Sequence, residues 1–133
     1  MAIRYRITKR TNTIASEKKE QFIMQAVNTG TVDLKRICEE ISNECTLSIV
    51  DVVGVTTALG IKLQQHLEEG KIVDLGDVGK FKIGFKSTAA NTAKELSPKR
   101  SIKKFHLNYQ PSSSFKHRLK KAITVYKEGS RST

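Results

Sequence analysis

Residues 70–85 read Gly-Lys-Ile-Val-Asp-Leu-Gly-Asp-Val-Gly-Lys-Phe-Lys-Ile-Gly-Phe, and this stretch decides the fold. Two short β segments flank a glycine-bounded turn at 76–79. After the turn, Phe81, Ile83 and Phe85 alternate with polar residues and glycine, which is the period-two pattern of a strand with one buried face. The stretch therefore predicts a strand, a tight turn and a longer amphipathic strand.

A further strand is predicted at 104–109, where apolar and polar residues alternate again. If it pairs with residues 80–86, the apolar side chains share one face of the sheet. The opposite face then carries Lys80, Lys82, Lys86, Lys104, His106 and Asn108. A solvated sheet face also carries lysine, but Glu95 is the only acidic residue between 78 and 127. That scarcity of acids favours a platform for a phosphate backbone.

Two helices are predicted before this sheet. Apolar residues follow a helical period from Asp33 to Cys45, with Cys38 as a small buried hydrophobe on the apolar face. The second helix starts at Ser48-x-x-Asp51, a capping-box-like pattern, and stops at Gly70. Its apolar surface is wider than one stripe, which indicates a second covering surface and hence a dimer.

Weaker patterns occur near the N-terminus and in the segment that connects the two main strands. Residues 2–8 and 20–27 alternate as two strands that could form a hairpin, and residues 87–101 form a loop or arm. Within that arm, Ser97-Pro98 is typical of a helix start, so a short turn to about 103 is expected.

The serines at 112–114 predict the start of a last, basic amphipathic helix that reaches Tyr126. The expected organisation of the chain is an N-terminal β extension at 1–30, a main domain at 31–127 and a frayed tail at 128–133. The expected fold class is α+β.

Charge is strongly biased and segregated along the 133 residues. The chain has 24 Lys+Arg, 13 Asp+Glu and a net charge of +11. Residues 20–77 hold ten of the acidic residues, whereas residues 78–133 hold fourteen basic and only two acidic ones. Such an excess predicts a polyanionic partner, because cations that bind phosphates release condensed counterions.

The composition also bears on location and chemistry. No apolar run is long enough for a membrane span, and the first ten residues do not resemble a secretory signal. We therefore expect a cytoplasmic protein that does not bind membranes, with Cys38 and Cys45 reduced. Motifs for nucleotide binding, zinc binding and acyl transfer are absent, and the three histidines lack paired spacing. An enzyme, a cofactor and a metal site are not expected.

Two segments carry a resemblance to a known family. Gly70-Lys-Ile-Val-Asp-Leu-Gly-Asp-Val-Gly-Lys-Phe81 resembles the turn into the β-sheet of the bacterial histone-like HU/IHF family. Tyr109-Gln-Pro-Ser-Ser-Ser-Phe-Lys116 is similar to that family's entry to its final helix. With the two helices, the resemblance covers about residues 31–126. The extra strands at 1–30 look like those of divergent histone-like proteins common in Bacteroidetes.

This resemblance implies an HU/IHF-like fold: an intertwined homodimer whose sheets form a saddle, with two arms that reach around the DNA minor groove. The arm of this sequence departs from the family's pattern. It has no Arg-Asn-Pro tip, and Gly84 and Ala89 stand where the family has basic residues. Pro98 lies in Ser-Pro-Lys-Arg, where helix initiation accounts for it at least as well as a wedge between base steps does. The resemblance thus carries over a dimer and a basic saddle, while bending of the DNA stays open.

The function expected from the sequence is non-enzymatic, weakly sequence-specific binding of double-stranded DNA by a nucleoid-associated homodimer. The residues expected to contact DNA phosphates are Lys80, Lys82, Lys86, Lys94, Lys99, Arg100, Lys103, Lys104, Lys116, Lys120 and Lys121. Two alternatives stay open: an RNA-binding or ribosome-associated protein, and an HU-like scaffold that binds a protein partner through its N-terminal strands. The identity of such a partner is not indicated by the sequence.

Overall fold

A computed structural model describes residues 2–12 and 19–129 of the chain. They fold into two compact units. The N-terminal unit contains residues 2–12, 19–33 and 117–129, and the central unit contains residues 34–116. The elements in chain order are β1 (Ala2–Asn12), β2 (Lys19–Val27), α1 (Leu34–Glu44), α2 (Ile49–Glu68), β3 (Val73–Asp74), β4 (Lys80–Ser87), a 3₁₀ turn (Ala93–Glu95), α3 (Pro98–Ser101), β5 (Ile102–Gln110), α4 (Ser113–Lys121) and β6 (Thr124–Lys127).

The N-terminal unit is built around a three-stranded sheet in the order β2-β1-β6. β1 and β2 pair antiparallel from Arg4 opposite Val27 to Asn12 opposite Lys19. This confirms the predicted hairpin, although β1 extends beyond residue 8. β6 lies parallel to β1 on its other side.

The predicted extent of the last helix was wrong, because the helix ends at Lys121 and residues 124–127 form β6. The segment Ile123-Thr124-Val125-Tyr126 combines three β-branched residues with a tyrosine, a composition that favours strands. Its apolar residues fit both a helical and an alternating period, and the backbone groups of β1 offer the partner that selects the strand. Of the expected frayed tail, residues 130–133 lie outside the described part of the chain.

The central unit begins with two helices whose contact buries Cys38 completely. The Cys38 thiol lies 3.6 Å from the Thr56 hydroxyl on α2, and this confirms its prediction as a buried small residue. Ser48 caps α2 as predicted, because its hydroxyl oxygen accepts a hydrogen bond from the Asp51 backbone N–H at 3.3 Å. Gly70 ends the helix with a positive φ of 83°.

The sheet of the central unit has the order β3-β4-β5, and β3 and β4 are joined by the glycine-bounded turn. Gly76 takes φ 63°, and its backbone N–H donates to the Asp74 carboxylate at 2.9 Å. The Leu75 N–H closes the turn on the Gly79 carbonyl at 2.9 Å. The predicted strand–turn–strand is therefore confirmed.

Few apolar side chains are buried within this chain. Among the described residues, the buried apolar set comprises Cys38, Val52 and Leu67. On α2, Val50 and Val55 are 76% and 62% exposed, although both belong to a strongly apolar helix. None of the described helices is long and apolar enough to cross a membrane.

Candidate nucleic-acid interface

Pairing of β4 with β5 brings the predicted lysines onto one face of the sheet. Lys86 lies opposite Lys104, and Lys82 lies opposite Asn108. Directly opposed residues in an antiparallel pair project from the same face, and residues two apart share that face. The sequence-based pairing of these strands is confirmed. We call the face of Lys80, Lys82, Lys86, Lys104, His106 and Asn108 the lysine face.

His106 and Gly84 form the middle of the lysine face. They are directly opposed, and a Cβ at Gly84 would lie 2.8 Å from the imidazole Nε2. The half-buried imidazole therefore occupies the space above the glycine. The ring of His106 therefore lies in the middle of the face, between the lysines at the two ends of the strands.

The lysine face is nearly free of acidic groups. Within the described residues, Lys82, Lys86 and Lys104 have no carboxylate within ion-pair distance. Lys80 differs from these three lysines, because an acidic residue, Asp74 of β3, lies opposite it in the sheet register. Positive potential is therefore strongest away from β3, where Lys86 and Lys104 are adjacent.

The opposite face of the sheet is apolar and largely exposed in one chain. Phe81 stacks against Tyr109 with ring centroids 5.2 Å apart, and Phe85 meets Phe105 edge-on at 5.8 Å. Leu67 of α2 shares a hollow with residues of this face. The aromatic rings thus lie away from the lysine face, which offers charge but no stacking surface.

The connection between β4 and β5 folds back into a compact cap and does not continue as a long β-ribbon. Ser87 pairs with Ile102, and the Thr88 N–H donates to the Ser101 carbonyl at 2.8 Å. Ser101 is buried, and its hydroxyl oxygen accepts from the Ser97 N–H at 2.9 Å. Pro98 is the first residue of α3, as its helix-initiating interpretation predicts, but the helix ends at Ser101 and not near 103.

This cap carries the cations that the sequence assigned to an arm. Lys94 lies in the 3₁₀ turn, and Lys99 and Arg100 lie in α3. Lys103 follows at the register shift between β4 and β5, beside Lys104 of the lysine face. Four predicted contact residues are therefore held at one end of the sheet by a short, hydrogen-bonded connection.

The cations of the last helix are distributed over the two units. The Phe115 N–H donates to the Ser112 hydroxyl oxygen at 3.2 Å, which confirms the predicted helix start. Lys116 lines the same hollow as Lys80, next to the glycine-bounded turn. Lys120 and Lys121 belong to the N-terminal unit, so the structure groups only Lys116 with the lysine face.

A row of arginines on β1 was not among the predicted contact residues. Arg4, Arg6 and Arg10 are spaced two or four apart, so they project from one face of the N-terminal sheet. Arg4 is partly engaged, because its guanidinium donates to the Asn28 carbonyl at 3.2 Å. The sequence offers Arg4, Arg6 and Arg10, together with Lys9, as DNA contacts only if the N-terminal strands take part in binding, and deletion of residues 1–27 tests this.

The described residues contain no group of His, Cys, Asp and Glu side chains placed to hold a metal ion. Both cysteines are free thiols, Cys38 buried and Cys45 exposed. The fold is an α+β architecture in which the β3-β4-β5 sheet has one cationic and one apolar face. These features define a class of small basic binding proteins.

Comparison with known proteins places the chain within that class. Residues 1–127 match the family described as "HU domain fused to wHTH, Ig, or Glycine-rich motif", and the chain belongs to this family. The HU resemblance drawn from the sequence is thereby confirmed, and the match includes the N-terminal strands. No curated protein matches the chain.

A solved structure shares the fold. It is that of a "Putative bacterial DNA binding protein" from Bacteroides vulgatus ATCC 8482, with a TM-score of 0.68 and 14% sequence identity. The similarity covers 99% of this chain and 50% of that protein, so this chain spans about half of its length.

Proposed function

We propose that this protein binds double-stranded DNA without catalysis, as a nucleoid-associated homodimer with weak sequence specificity. The observation that carries the proposal is the lysine face, where Lys82, Lys86 and Lys104 project together and no carboxylate of the described residues lies within ion-pair distance of them. Membership of an HU-type family and the description of the Bacteroides vulgatus protein support DNA as the polyanion. The associated location is the nucleoid of the cytoplasm.

Weak specificity follows from the chemistry of the contact groups. A lysine ammonium is a compact point charge that neutralises phosphate, and it lacks the planar fork with which arginine reads a base. Six more lysines and one arginine outside the lysine face are further candidates for phosphate contact: Lys94, Lys99, Arg100, Lys103, Lys116, Lys120 and Lys121. Such groups orient a duplex along its backbone and carry no direct sequence information.

The homodimer is supported by the shortage of buried apolar surface. Three buried apolar side chains do not form a core for the described residues, and α2 exposes an apolar surface that includes Val50, Val53 and Val55. A second copy packed against α2 would remove that surface from water. Such packing would place two lysine faces on one assembly.

The test is a fluorescence anisotropy titration of a labelled duplex of about 30 base pairs at several salt concentrations. If about six phosphates are neutralised, the slope of log K against log salt will be roughly −5. Intact and nicked duplexes run side by side show whether bent DNA is preferred. Absence of binding at low salt would overturn the proposal.

Single-stranded RNA is a weaker candidate because of the arrangement of the aromatic rings. Proteins that bind single strands stack bases on exposed aromatic side chains, and here Phe85, Phe105 and Tyr109 lie on the face opposite the lysines. Competition between duplex DNA and single-stranded RNA of equal length distinguishes the two. Stronger binding to RNA would favour the alternative.

A further inference from the structure

The free edge of β2 is unprotected against pairing with another strand. β2 ends the order β2-β1-β6, so one side of its backbone has no strand partner within this sheet. Its charged residues are Lys19 and Glu20 at the start, and residues 21–27 are uncharged and contain no proline. The ladder with β1 runs without a register shift. Charges, prolines and bulges are the usual devices that keep sheet edges apart.

The other long edge strand of the same chain carries such devices. β5 has nine residues, like β2, and ends the order β3-β4-β5. It has Lys103 and Lys104 near its start and a register shift beside Lys86. The contrast indicates that β2 is left open for a partner strand, whereas β5 is protected.

The sequence of β2 is symmetric in its chemistry about its centre. Residues 21–25 read Gln-Phe-Ile-Met-Gln, so a glutamine and an apolar residue flank Ile23 on each side. Phe22 and Met24 are 65% and 62% exposed, and both glutamines are exposed as well. An edge of this kind is complementary to an antiparallel copy of itself, which is the requirement for a two-fold interface.

We propose that β2 pairs antiparallel with β2 of a second copy, about a two-fold axis at Ile23, to form one continuous six-stranded sheet. In this register Phe22 lies opposite Met24 of the second copy, and Gln21 lies opposite its Gln25. The pairing brings the exposed side chains of Phe22 and Met24 from the two copies into cross-strand contact and satisfies the edge backbone groups. It brings no like charges into direct opposition, although each copy carries a net charge of +11.

The register allows a test that separates pairing from folding. Within one chain, Gln21 lies opposite Arg10 and Gln25 lies opposite Arg6. The double substitution Gln21→Glu/Gln25→Glu therefore places each new carboxylate beside an arginine of its own hairpin. Across the two-fold axis, however, the same substitution sets glutamate against glutamate twice, which disfavours pairing.

The experiment is sedimentation velocity of the full chain over a range of concentrations. The wild-type protein should reach at least twice the mass of the Gln21→Glu/Gln25→Glu variant, whose self-association should be at least about tenfold weaker. The single substitution Gln25→Glu, which places its carboxylate opposite Arg6 within the hairpin and opposite a glutamine across the axis, should recover the larger mass. Equal masses for wild type and the first variant, or no recovery in the second, would overturn the proposal.

A matched control changes the net charge equally at another place. Asn43→Asp/Asn91→Asp also adds two carboxylates at exposed positions, one on α1 and one in the cap, and should behave like wild type. An equal loss of mass in this control would assign the effect to net charge and overturn the proposal. If the protein also dimerises through α2, the two interfaces together build tetramers or longer chains, so the mass of the wild type then exceeds that of the first variant by a factor of two or more.

A cross-link provides a second measurement that does not depend on charge. Ile23→Cys, combined with Cys45→Ser, places two thiols opposite each other across the axis, within reach of a disulfide. Mild oxidation should then yield a covalent dimer. Gln21→Cys in the same background should not, because the two thiols are then several residues apart along the paired strands. Equal yields of covalent dimer from the two cysteine variants would contradict the proposed register, in which Ile23 lies opposite Ile23 of the second copy.

Discussion

The ring of Tyr109 lies against Gly79, and its hydroxyl donates a hydrogen bond of 2.6 Å to the Val78 carbonyl. A Cβ at Gly79 would be 2.7 Å from the ring and would also collide with the Gln110 carbonyl. The backbone at Gly79 has φ 129°, a conformation that side chains disfavour. The turn that starts the lysine face is thus locked to the end of β5 by one glycine and one tyrosine.

Gly79→Ala should therefore lower the free energy of unfolding by about 2–4 kcal/mol, because strain and collision add at one position. Urea denaturation followed by circular dichroism measures the loss. Tyr109→Phe is the control, since it keeps the ring and removes only the hydrogen bond, at about 1 kcal/mol. Equal losses of unfolding free energy in the two variants would contradict the steric explanation for the glycine at position 79.

Charge reversal on the lysine face should weaken DNA binding without regard to sequence. Lys82→Glu/Lys86→Glu removes two cations from the most positive part of the sheet. Each phosphate that is no longer neutralised should make the slope of log K against log salt shallower by about 1. Anisotropy titrations on two unrelated duplexes measure both effects. Lys35→Glu/Lys62→Glu changes the net charge equally on the helices, and binding that falls equally in both variants would contradict a local interface.

The cap over the sheet end depends on one buried serine. Ser101→Ala removes the acceptor of the Ser97 N–H, so residues 88–97 should open more readily, by about 1 kcal/mol. Hydrogen exchange resolved by peptide measures this opening. Ser97→Ala should leave exchange almost unchanged, because the Ser97 side chain makes no capping hydrogen bond. Faster exchange in the Ser97 variant would contradict the assignment.

An acidic residue on α2 distinguishes a dimer from a monomer. Val55 is 62% exposed in one chain, so Val55→Asp would change the stability of a monomer by only about 0.5 kcal/mol. If a second copy covers α2, the same change buries a carboxylate and should cost about 3 kcal/mol or more. Denaturation at two protein concentrations measures it, with Gln65→Asp as the exposed control. A small effect with no concentration dependence would exclude α2 as the dimer surface.

Local chemistry made much of the central unit predictable. The cap at Ser48, the stop at Gly70 and the glycine-bounded turn each depend on residues within a few positions of one another. The lysine face followed from strict alternation in two strands, because a period of two leaves little choice of face. These features needed no knowledge of distant contacts.

Tertiary pairing decided what local patterns left open. Residues 123–126 suit a helix or a strand, and the edge of β1, more than a hundred residues away, selects the strand. The segment 88–101 has no period of its own, and the hydrogen bonds of Ser101 with Thr88 and Ser97 fold it into a cap.

The sequence alone determined the excess of positive charge, most elements of the central unit and the family, because composition, short-range periodicity and turn motifs encode them. Only the tertiary structure decided that β6 completes the N-terminal sheet, that the arm is a compact cap and that β2 presents an open edge. Each of these depends on which backbone donors and acceptors find partners far along the chain. That choice is made by the whole fold.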